Sequence, residues 1–315
     1  MKKRLSAILL IIFALSAVLA ATPVDEKRLL KMVPADAEAV ISVNATEWFS
    51  LPVVQKSLSE SPAAPELLRQ TGITFTDLTA AVFWCRGEDM ALLGTWKRKF
   101  DPERIFLAPR FTCKKVQREG RNFYFVKSAP VPGKKSRRKQ SSREFWVASL
   151  PGGVTGFFSS FEMAAGFEKM AKGAKAFVFP ASAQGALRAF ARGGKLPVKE
   201  FALSCSMTGA KRSDFSAFAS CECATPEEAA ALRSQMMLMC NLMLVQSMQN
   251  APELAAELIQ KLKFDVSGSR LFLTVVLPEK MLKELGDFAQ KEAAKKKLRR
   301  NRKKVAENKG AVQKK

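Results

Sequence analysis

The sequence contains no histidine and a single tyrosine. Without imidazole, no side chain has an ordinary titration near neutrality. Ser-His-Asp and Cys-His nucleophilic catalysis are excluded in their usual forms, and so is histidine-ligated zinc. Acidic residues are scarce: 29 Asp plus Glu stand against 52 Lys plus Arg, a net charge of +23. Such an excess selects anionic partners, whether nucleic acid, acidic lipid headgroups or anionic envelope polymers. There is no glycine loop suited to cradle a phosphate, because Gly152-Gly153 and Gly193-Gly194 fit turns. Six cysteines spread over 315 residues do not form the dense disulfide framework of a short secreted domain.

The N-terminus carries an address. Met1-Lys2-Lys3-Arg4 is a basic n-region, Leu5 to Leu19 is an apolar h-region, and small residues follow at Ala20 and Ala21. This reads as a Sec-type signal peptide over 1–21, cleaved at Ala20 or Ala21 so that the mature chain begins at Ala21 or Thr22. The expected localisation is exported, periplasmic or extracellular. The alternative is an uncleaved membrane anchor, for which a span of about 20 apolar residues is needed and Leu5 to Leu19 is short. An exported protein meets little nucleic acid, so nucleic acid is not the expected partner.

The rest of the chain is organised around the stretch Phe201 to Gln249, which reads as strand, turn, strand and one long helix. Thr225-Pro226-Glu227-Glu228 announces the helix with an N-cap hydroxyl, a proline at the first helical position and a glutamate three residues after the cap. From Met236 to Val245 the only strongly polar side chain is Asn241. A helix apolar almost all round is expected to be covered on most sides, as a core helix under a sheet. The competing reading notes Met236, Met237, Met239, Met243 and Met248, since flexible methionines can line a surface that accepts varied apolar partners. In the preceding hairpin, Phe201, Leu203, Cys205 and Met207 share one face of a strand, as do Phe215, Ala217, Ala219, Cys221 and Cys223. A turn centred near Lys211 sets Cys205 across from about Ala217. Cys221 then falls about 13 Å further along at strand rise, too far for a disulfide.

Further hairpins are predicted at 78–96, 113–127, 145–158 and 263–277, with helices over 25–32, 47–58, 161–172, 252–262 and beyond Pro278. Ala176 to Phe179 reads as a strand, and the Ala- and Arg-rich run 183–192 reads as a helix. The order strand, helix, hairpin, helix, hairpin, helix occurs twice. The expected fold class is α+β: two similar antiparallel sheet-plus-helix halves, 22–173 and 174–290, with helices packed on one face. A basic loop at 130–143 interrupts the first half. Residues 291–315 form a basic tail, expected to be disordered. The pattern resembles a loose group of exported bacterial proteins that share a signal peptide, a Val-Pro-Ala-Asp-type segment before a strand (Val33 to Asp36) and a Pro-Glu-Glu-Ala-Ala helix after a hairpin (Pro226 to Ala230). That group has no settled activity, so the resemblance implies no catalytic, cofactor or metal residue.

The residues support one leading function and two alternatives. The leading expectation is a non-enzymatic exported cell-envelope protein, a structural or binding module. Its basic tail would contact anionic lipid or envelope polymer through Lys295, Lys296, Lys297, Arg299, Arg300, Arg302, Lys303 and Lys304. No cofactor or metal is expected. Cys221-Glu222-Cys223 is the nearest thing to a metal or redox motif, but both thiols fall on the apolar strand face and read as structural. The first alternative is a periplasmic enzyme using carboxylates, which requires two acids in one cleft; Asp214, Glu222, Glu227 and Glu228 are the candidates. The second is a chaperone-like binder using the Met-rich helix 225–249, which requires that helix to be exposed.

Overall fold

The structure, a computed structural model, describes residues 23–49, 55, 73–103, 111–128, 144–173, 175–180, 185, 187–193, 198–208, 213–288 and 291–292. Within these, helix α1 (Pro23–Leu30) precedes strand β1 (Ala39–Val43) and a single helical turn, α2 (Ala45–Trp48). Three hairpins follow: β2 (Leu78–Arg86) with β3 (Asp89–Trp96), β4 (Phe111–Arg118) with β5 (Arg121–Ser128), and β6 (Glu144–Leu150) with β7 (Val154–Phe158). Helix α3 (Phe161–Gly173) and strand β8 (Leu187–Arg192) lead into the hairpin β9 (Glu200–Thr208) and β10 (Asp214–Glu222). Then come α4 (Pro226–Ser247), α5 (Pro252–Lys261), β11 (Leu262–Ser267), β12 (Arg270–Leu277) and a last helix, α6 (279–288). The predicted hairpins all form. At the β4–β5 turn both Glu119 and Gly120 have positive φ, the backbone twist that a two-residue hairpin loop requires.

The class is α+β. All twelve strands join one antiparallel sheet in the order β11-β12-β10-β9-β8-β1-β2-β3-β7-β6-β5-β4. The two halves therefore share a sheet, sewn together where Val40 faces Phe190 and Val43 faces Leu187. Strand β8 corrects one expectation: 187–192 is a central strand, not part of a helix. Helix propensity favours Leu-Arg-Ala-Phe-Ala-Arg, but it is worth only tenths of a kcal/mol per residue, roughly. The alternation of Leu187, Ala189 and Ala191 against Arg188, Phe190 and Arg192 serves both faces of the sheet at once. The predicted strand 176–179 reduces to one bridge, Pro34 to Ala176. Of the predicted helix 47–58, residues 47–49 and 55 are described, and α2 ends at Trp48.

Helices cover both faces of the sheet, which corrects the expectation that they pack on one. Leu29 of α1 and Met163, Ala164 and Phe167 of α3 pack with Val40, Val82, Trp84, Phe158, Phe190 and Ala202. Ala255 and Leu258 of α5 and Met281 of α6 pack with Leu187, Leu203, Cys205, Phe215 and Ala219. Ala202 and Leu203 are consecutive strand residues and so point to opposite faces. The two clusters thus lie on opposite faces, and the helical layer changes sides near the centre of the sheet.

Candidate apolar docking face

Helix α4 is built as its cap predicts. Thr225 accepts from the Glu228 N–H at 3.2 Å, and the Glu228 carboxylate accepts from the Ala224 N–H at 3.0 Å. Its inner stripe is short. Leu232, Met236 and Cys240 pack on Cys221, Phe264 and Leu271, and Leu244 reaches the cluster around Met248 and Leu258. Arg233 ties the helix to β11 by donating to the Phe264 carbonyl at 3.0 Å.

The remainder of α4 faces outward. Ala229 is its one fully covered residue. Met237 is 43% exposed, Leu238 60%, Met239 38%, Leu242 52% and Val245 56%. Five of the eleven exposed large apolar side chains among the described residues thus fall within nine residues of one helix. Leu238, Leu242 and Val245 are spaced i, i+4, i+7 and form one stripe. Neutral Ser234, Gln235, Asn241 and Gln246 surround it. No Asp, Glu, Lys or Arg occurs from Ser234 to Pro252, in a chain that is 26% charged. The expectation of a core helix is therefore overturned. One sheet face covers the inner stripe, and among the described residues nothing covers the outer one.

The signal for this lay in the sequence. On a helical wheel Ser234, Asn241 and Gln246 fall on the arc of Leu238, whereas the opposite arc has Ala229, Met236 and Cys240 and no amide. Apolar content alone masked that asymmetry.

The chain after α4 returns to its end. Met248 caps the helix through its N–H to the Leu244 carbonyl at 2.9 Å, and Ala251 donates to Met248 at 2.8 Å. The Asn250 side-chain amide then donates to Glu292 at 3.0 Å. Glu292 therefore lies beside the C-terminal end of α4. The eight cations predicted to bind anions, Lys295 to Lys304, lie outside the described residues, as do Ala20, Ala21 and the basic loop 130–143.

The candidate carboxylates are dispersed and structurally engaged. Glu222 pairs with Arg270 at 2.8 Å, Asp214 accepts from the Glu279 N–H at 3.2 Å, and Glu228 serves the cap. Glu227, fully exposed, is held below the usual carboxylate range by its own backbone N–H and by Thr225. A shallow recess between α5 and α6 gathers Glu253, Glu284, Asp287 and Glu292 with Phe288 and Lys291. Among the described residues no group of His, Cys, Asp or Glu has the arrangement of a metal site.

The thiols are those of a core. Desolvation pushes Cys205 up to about 12 and Cys221 up to about 11, and raises Cys240, so none is an activated nucleophile. All six cysteines are free. On the other face of β10, Phe218 lies against Phe272 of β12 with ring centroids 5.8 Å apart.

Among the described residues no helix is long and apolar enough to cross a membrane. No protein-family model matches the chain, and no curated protein matches it. Two solved structures are similar in outline, crystal forms III and I of TP0453, a Treponema protein. Form III aligns at 10% identity and a TM-score of 0.44 over 82% of this chain and 97% of that one. Form I aligns at 12% and 0.40 over 85% and 98%.

Proposed function

We propose that the protein is an exported, non-enzymatic binding module of the cell envelope, and that the outward face of α4 is its binding surface. The observation that carries this reading is the charge-free stretch from Ser234 to Pro252 with Leu238, Leu242 and Val245 in one exposed stripe. Fully burying a Leu or Val side chain contributes roughly 1.5–3 kcal/mol, so leaving three of them half-exposed forgoes a few kcal/mol that a partner recovers. Met237 and Met239 flank the stripe and adapt to varied apolar shapes. A contiguous exposed apolar patch on a folded body marks an interaction surface. The engagement of Asp214, Glu222 and Glu228 in pairs and caps weighs against the carboxylate enzyme.

The body carrying this surface reads as an internal duplication. Outward from the centre the strands run β1-β2-β3-β7-β6 on one side and β8-β9-β10-β12-β11 on the other, with β5 and β4 as an added hairpin.

The test is the triple variant L238E/L242E/V245E, assayed with the neutral apolar dye Nile red. These side chains face solvent, so the melting curve should be unchanged. The native protein should enhance the dye's fluorescence and the variant should not. Equal enhancement by both would refute α4 as the binding surface.

A further inference from the structure

The two edge strands of the sheet are finished differently. β11 is short, six residues, and its Phe264 carbonyl is taken by Arg233 of α4 at 3.0 Å. β4, at the opposite end of the sheet, has eight residues, and among the described residues it pairs with β5 alone. The two-residue turn at Glu119-Gly120 makes Arg118 and Arg121 a hydrogen-bonded pair, and bonding to β5 alternates from there. Arg118, Val116, Lys114 and Thr112 bond inward. Gln117, Lys115 and Cys113 therefore present their N–H and C=O groups at the outer edge. Such a row is a template for one more strand.

The side chains along this edge carry one sign. β4 contains three cations and no acid. Lys114, Val116 and Arg118 alternate along one face of the strand, and all three are exposed. Among the described residues no carboxylate pairs with Lys114. Arg118 meets Glu119 at a loose 3.9 Å, with both side chains more than half exposed. On the other face Lys115 is already matched by Glu103 at 2.8 Å.

We propose that β4 accepts an extended acidic peptide segment as an added antiparallel strand, with an acid two residues to either side of a central apolar residue. The positions opposite Lys114, Val116 and Arg118 are the non-hydrogen-bonded pairs of the new ladder. Facing side chains come closest there, with Cα atoms about 4.5 Å apart. The backbone supplies the hold, and two cations about 13 Å apart along the strand select the charge and fix the register. A second copy is a poor occupant: β4 laid antiparallel on β4 about Val116 sets Lys114 against Arg118. Edge cations deter that self-pairing, and the same cations favour a strand bearing acids. This surface lies at the far end of the sheet from α4 and goes beyond the function proposed for that helix.

The experiment is fluorescence anisotropy of a labelled peptide, Val-Thr-Glu-Thr-Val-Thr-Glu-Thr with blocked ends, titrated with the full chain at physiological salt. Two control peptides are used. One has lysine in place of both glutamates. The other is N-methylated at the two threonines flanking the central valine, which face Lys115 and Gln117 and exchange backbone bonds with them. The wild type should bind the acidic peptide and not the lysine peptide, and N-methylation should weaken binding at least about tenfold. K114E/R118E should reverse the preference between the glutamate and lysine peptides. Q117P removes an outward N–H and leaves the β5 ladder intact, so it should keep its melting temperature and lose the peptide.

No binding of the acidic peptide by the wild type overturns the proposal. Equal binding of the N-methylated peptide reduces the contact to charge attraction without an added strand and overturns it too. So does binding that K114E/R118E leaves unchanged, or binding that L238E/L242E/V245E abolishes, which would move the peptide to α4.

Discussion

Arg188 donates to the carboxylate of Glu26 at 2.9 Å, across 162 residues of sequence. Glu26 also accepts from the Ser42 hydroxyl, and the Arg188 guanidinium lies 4.6 Å from the centre of the Phe179 ring. The three elements α1, β1 and β8 thus meet at one charged contact beneath the middle of the sheet. Both side chains are mostly buried, at 20% and 9% exposure. Arg188→Met leaves a buried carboxylate without its cation and should cost about 3 kcal/mol in chemical denaturation. The double variant Glu26→Leu, Arg188→Leu removes both charges and should recover most of that loss. A double variant as unstable as the single would mean that packing, rather than charge, makes this contact matter.

Cys205 stands directly across from Ala217, and Cys221 across from Phe201. Mass mapping of non-reduced peptides should find no Cys205–Cys221 bridge. Both thiols should resist alkylation at pH 8 in the native protein and react once it is unfolded. Their raised pKa values also set a sign. The thiols stay neutral in the fold up to about 12 and 11, whereas in the unfolded chain they ionise near 9. Above pH 9 the unfolded state releases protons that the folded state keeps, so stability should fall as pH rises through that window. The variant C205A/C221A should show a shallower alkaline decline.

Asp77 has the opposite dependence. Burial pulls its pKa upward, but the Thr74 N–H and hydroxyl, at 2.7 and 2.8 Å, with Arg98 and Lys97 beyond, hold it below the usual range. A depressed folded pKa contributes stability above the unfolded value, near 4, that is lost as pH falls through the folded one. Asp77→Ala should cost about 2 kcal/mol at neutral pH. It should also flatten the acid limb of a stability-versus-pH curve below pH of about 4. An acid limb identical to wild type would count against the Thr74–Asp77 bonds.

Gly185 has φ of 155°, and a Cβ there would lie 2.4 Å from the Cys205 carbonyl oxygen. The obstacle is backbone at the centre of the sheet, which cannot rotate away. Gly185→Ala should therefore destabilise by about 3 kcal/mol, combining a backbone conformation that disfavours a side chain with a displaced strand. Gly166→Ala, within α3 and with nothing within 4 Å of the added carbon, is the control and should be neutral or slightly stabilising. Equal melting temperatures for the two variants would contradict the close approach at Cys205.

Much of the fold is local and so was legible in the sequence. The Thr225–Glu228 cap, the hairpin turns and the alternation of Phe215, Ala217, Ala219 and Cys221 are short-range patterns, and the Cys205–Ala217 register follows from turn length alone. Strand β8 was not legible. Leu187 to Arg192 favours helix by itself and becomes a strand because β1 and β9 flank it on both sides and Glu26 supplies a partner for Arg188. Those partners are distant in sequence.

The same division runs through the candidate site. Composition and spacing by themselves determined the start of α4, its methionines, the absence of charge from Ser234 to Pro252 and the basic character of the last 23 residues. That the outward side of that helix stays uncovered was decided by tertiary structure, because apolar content tells how much surface is worth burying but not how much sheet is there to bury it. The sheet under α4 is wide enough for Leu232, Met236 and Cys240, and among the described residues no second layer covers Leu238, Leu242 and Val245. The meeting of Asn250 with Glu292 also exists only in the folded chain, where α5, two strands and α6 bring a segment 42 residues further on back to the end of α4.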